Sequence, residues 1–116
     1  MQRTLQDLLA DCSTERGFQF SITCEVCGGV WKSRTVPFSK ARVSPATAGK
    51  KVVYETLYRR EKEEARRQAW RAGERRFSRC PICQRWVCDR CFMVCEDLDM
   101  CTQCAEKLDE RGSIVG

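Results

Sequence analysis

The chain has no histidine anywhere in its 116 residues. The commonest general base and the usual ligand of catalytic zinc are therefore both missing, which argues against an enzyme. Proline is scarce, at three residues, and the aromatic set is small: five Phe, three Trp and two Tyr. The apolar fraction of 42% includes ten cysteines, so few ordinary core formers are left. Such a short chain buries proportionally little surface and often needs a metal or disulfides to fold stably. No apolar run approaches the ~18 residues that cross a bilayer. The opening MQRTLQDLLADCSTERG has neither an apolar h-region nor a small-residue cleavage pattern, which argues against a secretory signal. No membrane partner is expected, and the expected compartment is the cytoplasm, where thiols stay reduced.

What the chain does have is cysteine in a regular spacing. Four C-x-x-C pairs stand at Cys24/Cys27, Cys80/Cys83, Cys88/Cys91 and Cys101/Cys104. Eight thiolates are the ligand count of two tetrahedral all-cysteine sites, so two zinc ions per chain are expected. Disulfides are the competing reading, disfavoured by the expected compartment. A thioredoxin-like redox motif is weaker still, because four pairs without a βαβ context do not match it. Cys12 and Cys95 are left over and read as small apolar fillers.

The formal charge of +5 counts every cysteine as neutral. Eight thiolates and two zinc dications would lower it by four, to near +1. The basic residues are also unevenly spread. Residues 50–79 hold eleven Lys and Arg against five Glu, and the rest of the chain is slightly acidic.

Along the chain, Leu5, Leu8 and Leu9 at helical spacing predict a short amphipathic helix over residues 2–11, within an N-terminal segment 1–17. Segment 18–38 reads as the first knuckle and hairpin: Phe18, Phe20 and Ile22 alternate into Cys24, and a second strand returns through Val30, Trp31 and Thr35 to Phe38. Residues 39–49 are a loop. Segment 50–79 is a long helix of basic and mixed charge, its helical pattern running from Val52 to about Arg76 and its apolar stripe thin. Gly73 weakens the last turn by ~1 kcal/mol relative to Ala. Segment 80–112 is a C-terminal double-knuckle module that closes on a short helix, AEKLDERG, and residues 113–116 are a frayed tail. Trp31, Trp86 and Val87 read as core over the metal sites. The fold class expected is a small α+β zinc-stabilised domain, with the long helix inserted between the first and second cysteine pairs.

Two pairings of the cysteines are open. In the interleaved one, Cys24/Cys27 join Cys88/Cys91, and Cys80/Cys83 join Cys101/Cys104. In the sequential one, the first two pairs share a metal and the last two share the other. Only four residues separate Cys83 from Cys88, which hinders those neighbouring pairs from closing on one ion. A knuckle, a hairpin and then a C-x-x-C opening a helix is treble-clef order and favours interleaving.

The run RFSRCPICQRWVCDRC resembles the middle of FYVE-like cross-brace fingers over about 30 residues. The basic His-containing lipid motif of that family is absent, so lipid binding is not implied. The RING pattern fails too, because its third pair normally includes a His. The wider arrangement resembles a group of small bacterial double zinc-ribbon proteins. It shares their Cys24 to Gly28 knuckle, an Ala/Arg/Glu-rich helix, the block from Arg79 to Cys91, and Cys101/Cys104. That resemblance implies zinc and fold and carries no activity with it.

Sites with four cysteine ligands are closed, whereas catalytic zinc keeps a position for water. Glu96, Asp97 and Asp99 have no partner motif for acid–base work. The expected function is a structural zinc-binding interaction module, an adaptor or accessory subunit of a larger assembly. Its partner would be another protein, met through the helix 50–79 or the Leu5/Leu8/Leu9 face. The alternative is a nucleic-acid-binding zinc ribbon using the same basic helix. Glu61, Glu63 and Glu64 interrupt that stripe, and mixed charge on a helix is more often a solvated face.

Overall fold

A single 27-residue helix, α1 (Ala48–Glu74), is the longest element of the chain. At 1.5 Å per residue it spans about 40 Å. In the computed structural model, which describes residues 3–116, it runs along a molecule of 65 × 26 × 18 Å. Thr47 sets its start, since the hydroxyl accepts the Lys50 amide at 3.1 Å and so satisfies one free N–H of the first turn. The helix therefore begins four residues before the Val52 that its apolar pattern suggests. It also ends earlier than the 50–79 segment, because Phe77–Arg79 form a strand.

Three small antiparallel sheets make up most of the remaining structure, and strands of the first two touch the helix. The first comprises β1 (Ala10–Asp11), β2 (Phe20–Thr23) and β3 (Val30–Lys32), in that order, with Ile22 opposite Trp31. The second pairs β4 (Phe77–Arg79) with β5 (Trp86–Cys88). In the third, β6 (Phe92–Cys95) lies between β7 (Met100–Cys101) and β8 (Gly112–Ile114). A short helix, α2 (Thr102–Lys107), follows β7 directly.

Two apolar clusters hold these parts. One gathers Leu5, Ile22, Phe77, Val87 and Met100 around the buried cysteines of the body. The other packs Phe18, Phe20 and Phe38 against Ala65 and Ala69 of α1, with Tyr54 and Leu57 at its edge. Phe38 meets Tyr54 and Tyr58 edge-on, at ring separations of 5.2 and 5.3 Å. Small residues let the helix approach closely. A Cβ at Gly73 would stand 2.5 Å from Cδ1 of Ile22, which is fully buried. Gly73 is thus a point of close approach between α1 and β2, where a side chain would have to displace Ile22.

Several local expectations differ from the structure. The N-terminal segment forms only a 3-10 turn, Leu5–Leu8, followed by β1. Pairing of Ala10 and Asp11 with β2 satisfies backbone groups that a longer helix would have used internally. Residues 1 and 2 of that expected segment lie outside the described residues. Its leucines face inward: Leu5 is buried in the main core, with Leu8 and Leu9 half-buried against it. That face docks on the chain's own body. In the returning hairpin, only Val30–Lys32 is a strand, and Val36 makes a lone bridge to Phe18. The C-terminal helix opens at Thr102 and stops at Lys107. The predicted frayed tail is instead paired, with Ser113 and Ile114 in β8 and the amides of Val115 and Gly116 bonded to Phe92 and Asp89 carbonyls. The strand is wholly exposed, so no apolar alternation announces it.

Candidate metal centre

Each knuckle is a tight turn fixed by backbone bonds. In the first, the Cys24 amide donates to the Gly29 carbonyl at 2.8 Å and the Gly28 amide to the Cys24 carbonyl at 3.0 Å. The second repeats this bond for bond: Cys80 to Arg85 at 2.9 Å and Gln84 to Cys80 at 2.8 Å. Both turns require a left-handed residue just after the second cysteine. Gly28 meets it without strain at φ +74°, whereas Gln84 adopts φ +65° with a side chain in place.

The first knuckle then docks on the β4–β5 hairpin. The Glu25 amide donates to the Trp86 carbonyl at 3.0 Å, and the Trp86 amide returns to the Glu25 carboxylate at 2.9 Å. This crossing carries Cys24 and Cys27 to the far end of β5, where Cys88 and Cys91 stand. Cys24, Cys27, Cys88 and Cys91 form one group, here site 1. Cys80, Cys83, Cys101 and Cys104 form the other, site 2. Within each group all four sulfurs lie within 4.8 Å of one another. All eight cysteines of the four sequence pairs fall in these groups, the first pair meeting the third and the second meeting the fourth.

The spacing fits a tetrahedral ion. Metal–sulfur bonds of about 2.3 Å give tetrahedron edges of about 3.8 Å. Cys27 and Cys88 are 3.8 Å apart in site 1, and Cys83 and Cys101 are 3.8 Å apart in site 2. None of the ten cysteines is in a disulfide. Cys12 and Cys95 belong to neither group, and Cys95 is buried as a core filler.

Amide donors point at the sulfurs in matching positions. In site 1, Cys24 Sγ accepts from the Cys88 amide at 3.3 Å. In site 2, Cys80 Sγ accepts from the Cys101 amide, also at 3.3 Å. Such N–H groups stabilise thiolate charge. Burial opposes the Cys24 thiolate, but amides of Cys27, Cys88 and Val26 outweigh it and bring the thiol down to about 7. Other members of each group move the opposite way. Burial, then the neighbouring Cys27, Cys88 and Cys24, push Cys91 up. Burial, then Cys101, Cys83 and Cys80, push Cys104 up to about 12. Four sulfurs this close cannot all ionise unaided, and a dication at their centre is the partner that removes the conflict.

One difference separates the sites. Where the first knuckle has Gly29, the second has Arg85, whose Nε donates to Cys83 Sγ at 3.2 Å. Its Nη2 lies 4.0 Å from Cys101 Sγ and is steadied by Gln103 Oε1 at 2.7 Å. Burial again opposes the Cys83 thiolate, but Arg85 overrides it and the thiol falls to about 6. The role of Arg85 is not visible in the cysteine spacing. The signal for it is positional, a cation two residues after the second knuckle cysteine. Of the residues read as core, Val87 is fully buried, while Trp31 and Trp86 are half-buried.

Among the described residues no helix is long and apolar enough to cross a membrane. The chain matches no family model, no curated protein and no solved structure.

Proposed function

We propose that this chain is a structural zinc protein whose two ions replace a conventional core, and that it serves as an interaction module within a cytoplasmic assembly. The observation that carries the reading is the closure of both groups. Each offers four sulfurs within 4.8 Å of one another, a full tetrahedral ligand set that leaves a bound ion no open position for substrate or water. Interleaved coordination is the pairing that this grouping supports, with one ion held by Cys24, Cys27, Cys88 and Cys91 and the other by Cys80, Cys83, Cys101 and Cys104. The order of knuckle, hairpin and cysteine-capped helix supports a treble-clef arrangement for the C-terminal part. Zinc is preferred over iron because both are compatible with four thiolates but only zinc needs no redox role.

An adaptor or accessory subunit is the function class that suits such a body, and catalysis is not part of the proposal. The long helix presents solvent-facing charge along Arg59, Arg60, Glu63, Glu64 and Arg67, which suits a protein partner better than a uniform phosphate track. Two measurements test the reading. Elemental analysis of protein purified without added metal should give two zinc per chain, and one zinc or a red iron chromophore would overturn the metal assignment. Affinity isolation from native lysate at moderate salt should recover a protein assembly. Recovery of nucleic acid alone, with strongly salt-dependent binding, would favour the zinc-ribbon alternative.

A further inference from the structure

The end of α1 remote from the metal sites is built differently from the rest of the molecule. From Ser39 to Tyr54 the chain carries four cations, Lys40, Arg42, Lys50 and Lys51, and no acidic residue. Three valines stand open in the same stretch: Val43 at 51% exposure, Val52 at 63% and Val53 at 55%. Between the loop and the first turns of α1 lies a groove of about 370 Å³. Its walls are Val43, Pro45, Val53, Tyr54 and Leu57, and Lys40 and Lys50 stand on its rim. That volume lies within the range of about 300–1,000 Å³ usual for binding clefts.

The groove is held in shape from below. Phe38 anchors the start of the loop in the aromatic cluster, and the Ser39 amide donates to the Glu61 carboxylate at 2.9 Å. Turn bonds from Ala41 to Phe38 and from Val43 to Lys40 set the loop's path, and Thr47 caps the helix at its other end. A preformed apolar groove with a rim of one charge sign selects a ligand that is apolar in the middle and opposite in charge at the edges.

We infer that this groove docks an acidic amphipathic segment of a partner protein, its apolar side chains seated on Val43, Val53 and Leu57 and its carboxylates on Lys40 and Lys50. The inference rests on the interaction-module reading above and names the surface and the chemistry of its partner. A nucleic-acid strand is a poorer fit, since Tyr54, itself half-buried, is the one aromatic residue lining the groove, where a strand would need several stacking faces. An anionic membrane is also a poorer fit, because insertion favours bulky Trp, Phe or Leu over short valines.

The test is selection from a random 12-residue peptide library displayed on phage, against the immobilised metal-loaded chain. Enriched peptides should combine Leu, Ile or Phe with Asp or Glu. Their binding should fall at least tenfold in Val53→Asp and in the Lys40→Glu/Lys50→Glu pair, and should weaken with salt. All these side chains are exposed, so retention of two metals and of the circular dichroism spectrum checks the fold of each variant. Enrichment of neutral or basic peptides, binding indifferent to these substitutions, or no enrichment would overturn the proposal. So would stronger, Lys-dependent binding of phosphatidylserine vesicles or of single-stranded oligonucleotides. Concentration-dependent self-association abolished by Lys40→Glu/Lys50→Glu would overturn it by assigning the groove to a second copy of the chain. Partners recovered from lysate that contact another surface would sink this site and leave the interaction-module reading standing. A bound peptide here with no cellular partner would do the reverse.

Discussion

The two four-cysteine sites share a knuckle geometry but are embedded differently. Site 2 takes its sulfurs from residues 80–104, and its closest pair, Cys83 and Cys101, is 18 residues apart in the chain. Site 1 joins Cys27 to Cys88 across 61 residues, with all of α1 in between. Closing the longer loop costs more chain entropy, by about 1 kcal/mol for a threefold difference in length. Burial follows the same order. Cys80 and Cys101 are fully buried in site 2, while Cys27 of site 1 is exposed. Site 2 also has the Arg85 cation, where site 1 has glycine. The local site is therefore expected to be the stable one, and the long-range site the one that yields first.

The strongest way to break this comparison is to remove one ligand from each site. A structural zinc contributes about 10–16 kcal/mol of apparent folding free energy, more than a small domain's whole stability. Cys101→Ser is expected to unfold the C-terminal body and lose both metals, since β5 and Cys88 depend on it. Cys27→Ser should lose one metal and keep a folded site 2. Native mass spectrometry reads both outcomes, and equal losses in the two variants would show that the sites are equivalent. A gentler version uses the unaltered protein. Under a graded chelator at neutral pH, the first metal to leave should come from site 1, about fivefold more readily than the second. Thiol-specific labelling at half-release, followed by peptide mapping, should find Cys27 and Cys88 modified.

Gly73→Ala probes the support beneath site 1. Overpacking against Ile22 costs about 1–3 kcal/mol, and the gain in helix propensity returns up to about 1. A net loss of about 1 kcal/mol in urea unfolding is expected, with faster metal release from site 1 only, because Ile22 sits two residues before Cys24. Arg85→Gln sharpens the other half of the comparison. Protons compete with the metal for thiolates, and a neighbouring cation disfavours the proton, so its removal should raise the pH at which site 2 releases metal. The shift should be about half a pH unit, small because the guanidinium is partly solvated. The smallest effect is expected for Gln84→Gly, which places the residue of the first knuckle in the second. Relief of the left-handed strain should slightly exceed the added chain entropy, for a gain of about 0.5 kcal/mol.

How much of this could be read beforehand differs from element to element. The eight paired cysteines were legible because a knuckle demands a fixed two-residue gap within one short segment. The long helix was legible from its run of Ala, Glu, Arg and Gln, though its start depended on Thr47, a cap outside the apolar pattern. Strand β8 was not, because Gly112–Ile114 are all exposed and are ordered by pairing with the backbone edge of β6, which no apolar pattern announces. Leu5, Leu8 and Leu9 showed an apolar face, but the same face serves a 3-10 turn docked on the core or a helix awaiting a partner. Gly73 read as a local weakness, and only the facing strand shows that a side chain there would have to displace Ile22.

The sequence by itself determined which sulfurs can act together in pairs, because that grouping is set by chain geometry over four residues. It also determined that the chain is short of ordinary core, since composition alone fixes how much apolar surface there is to bury. Which pair meets which was decided by the tertiary structure. The first knuckle docks on the β4–β5 hairpin through Glu25 and Trp86, contacts between residues 61 apart that no local pattern encodes. The same docking leaves one site local and cation-backed and the other stretched across the whole helix.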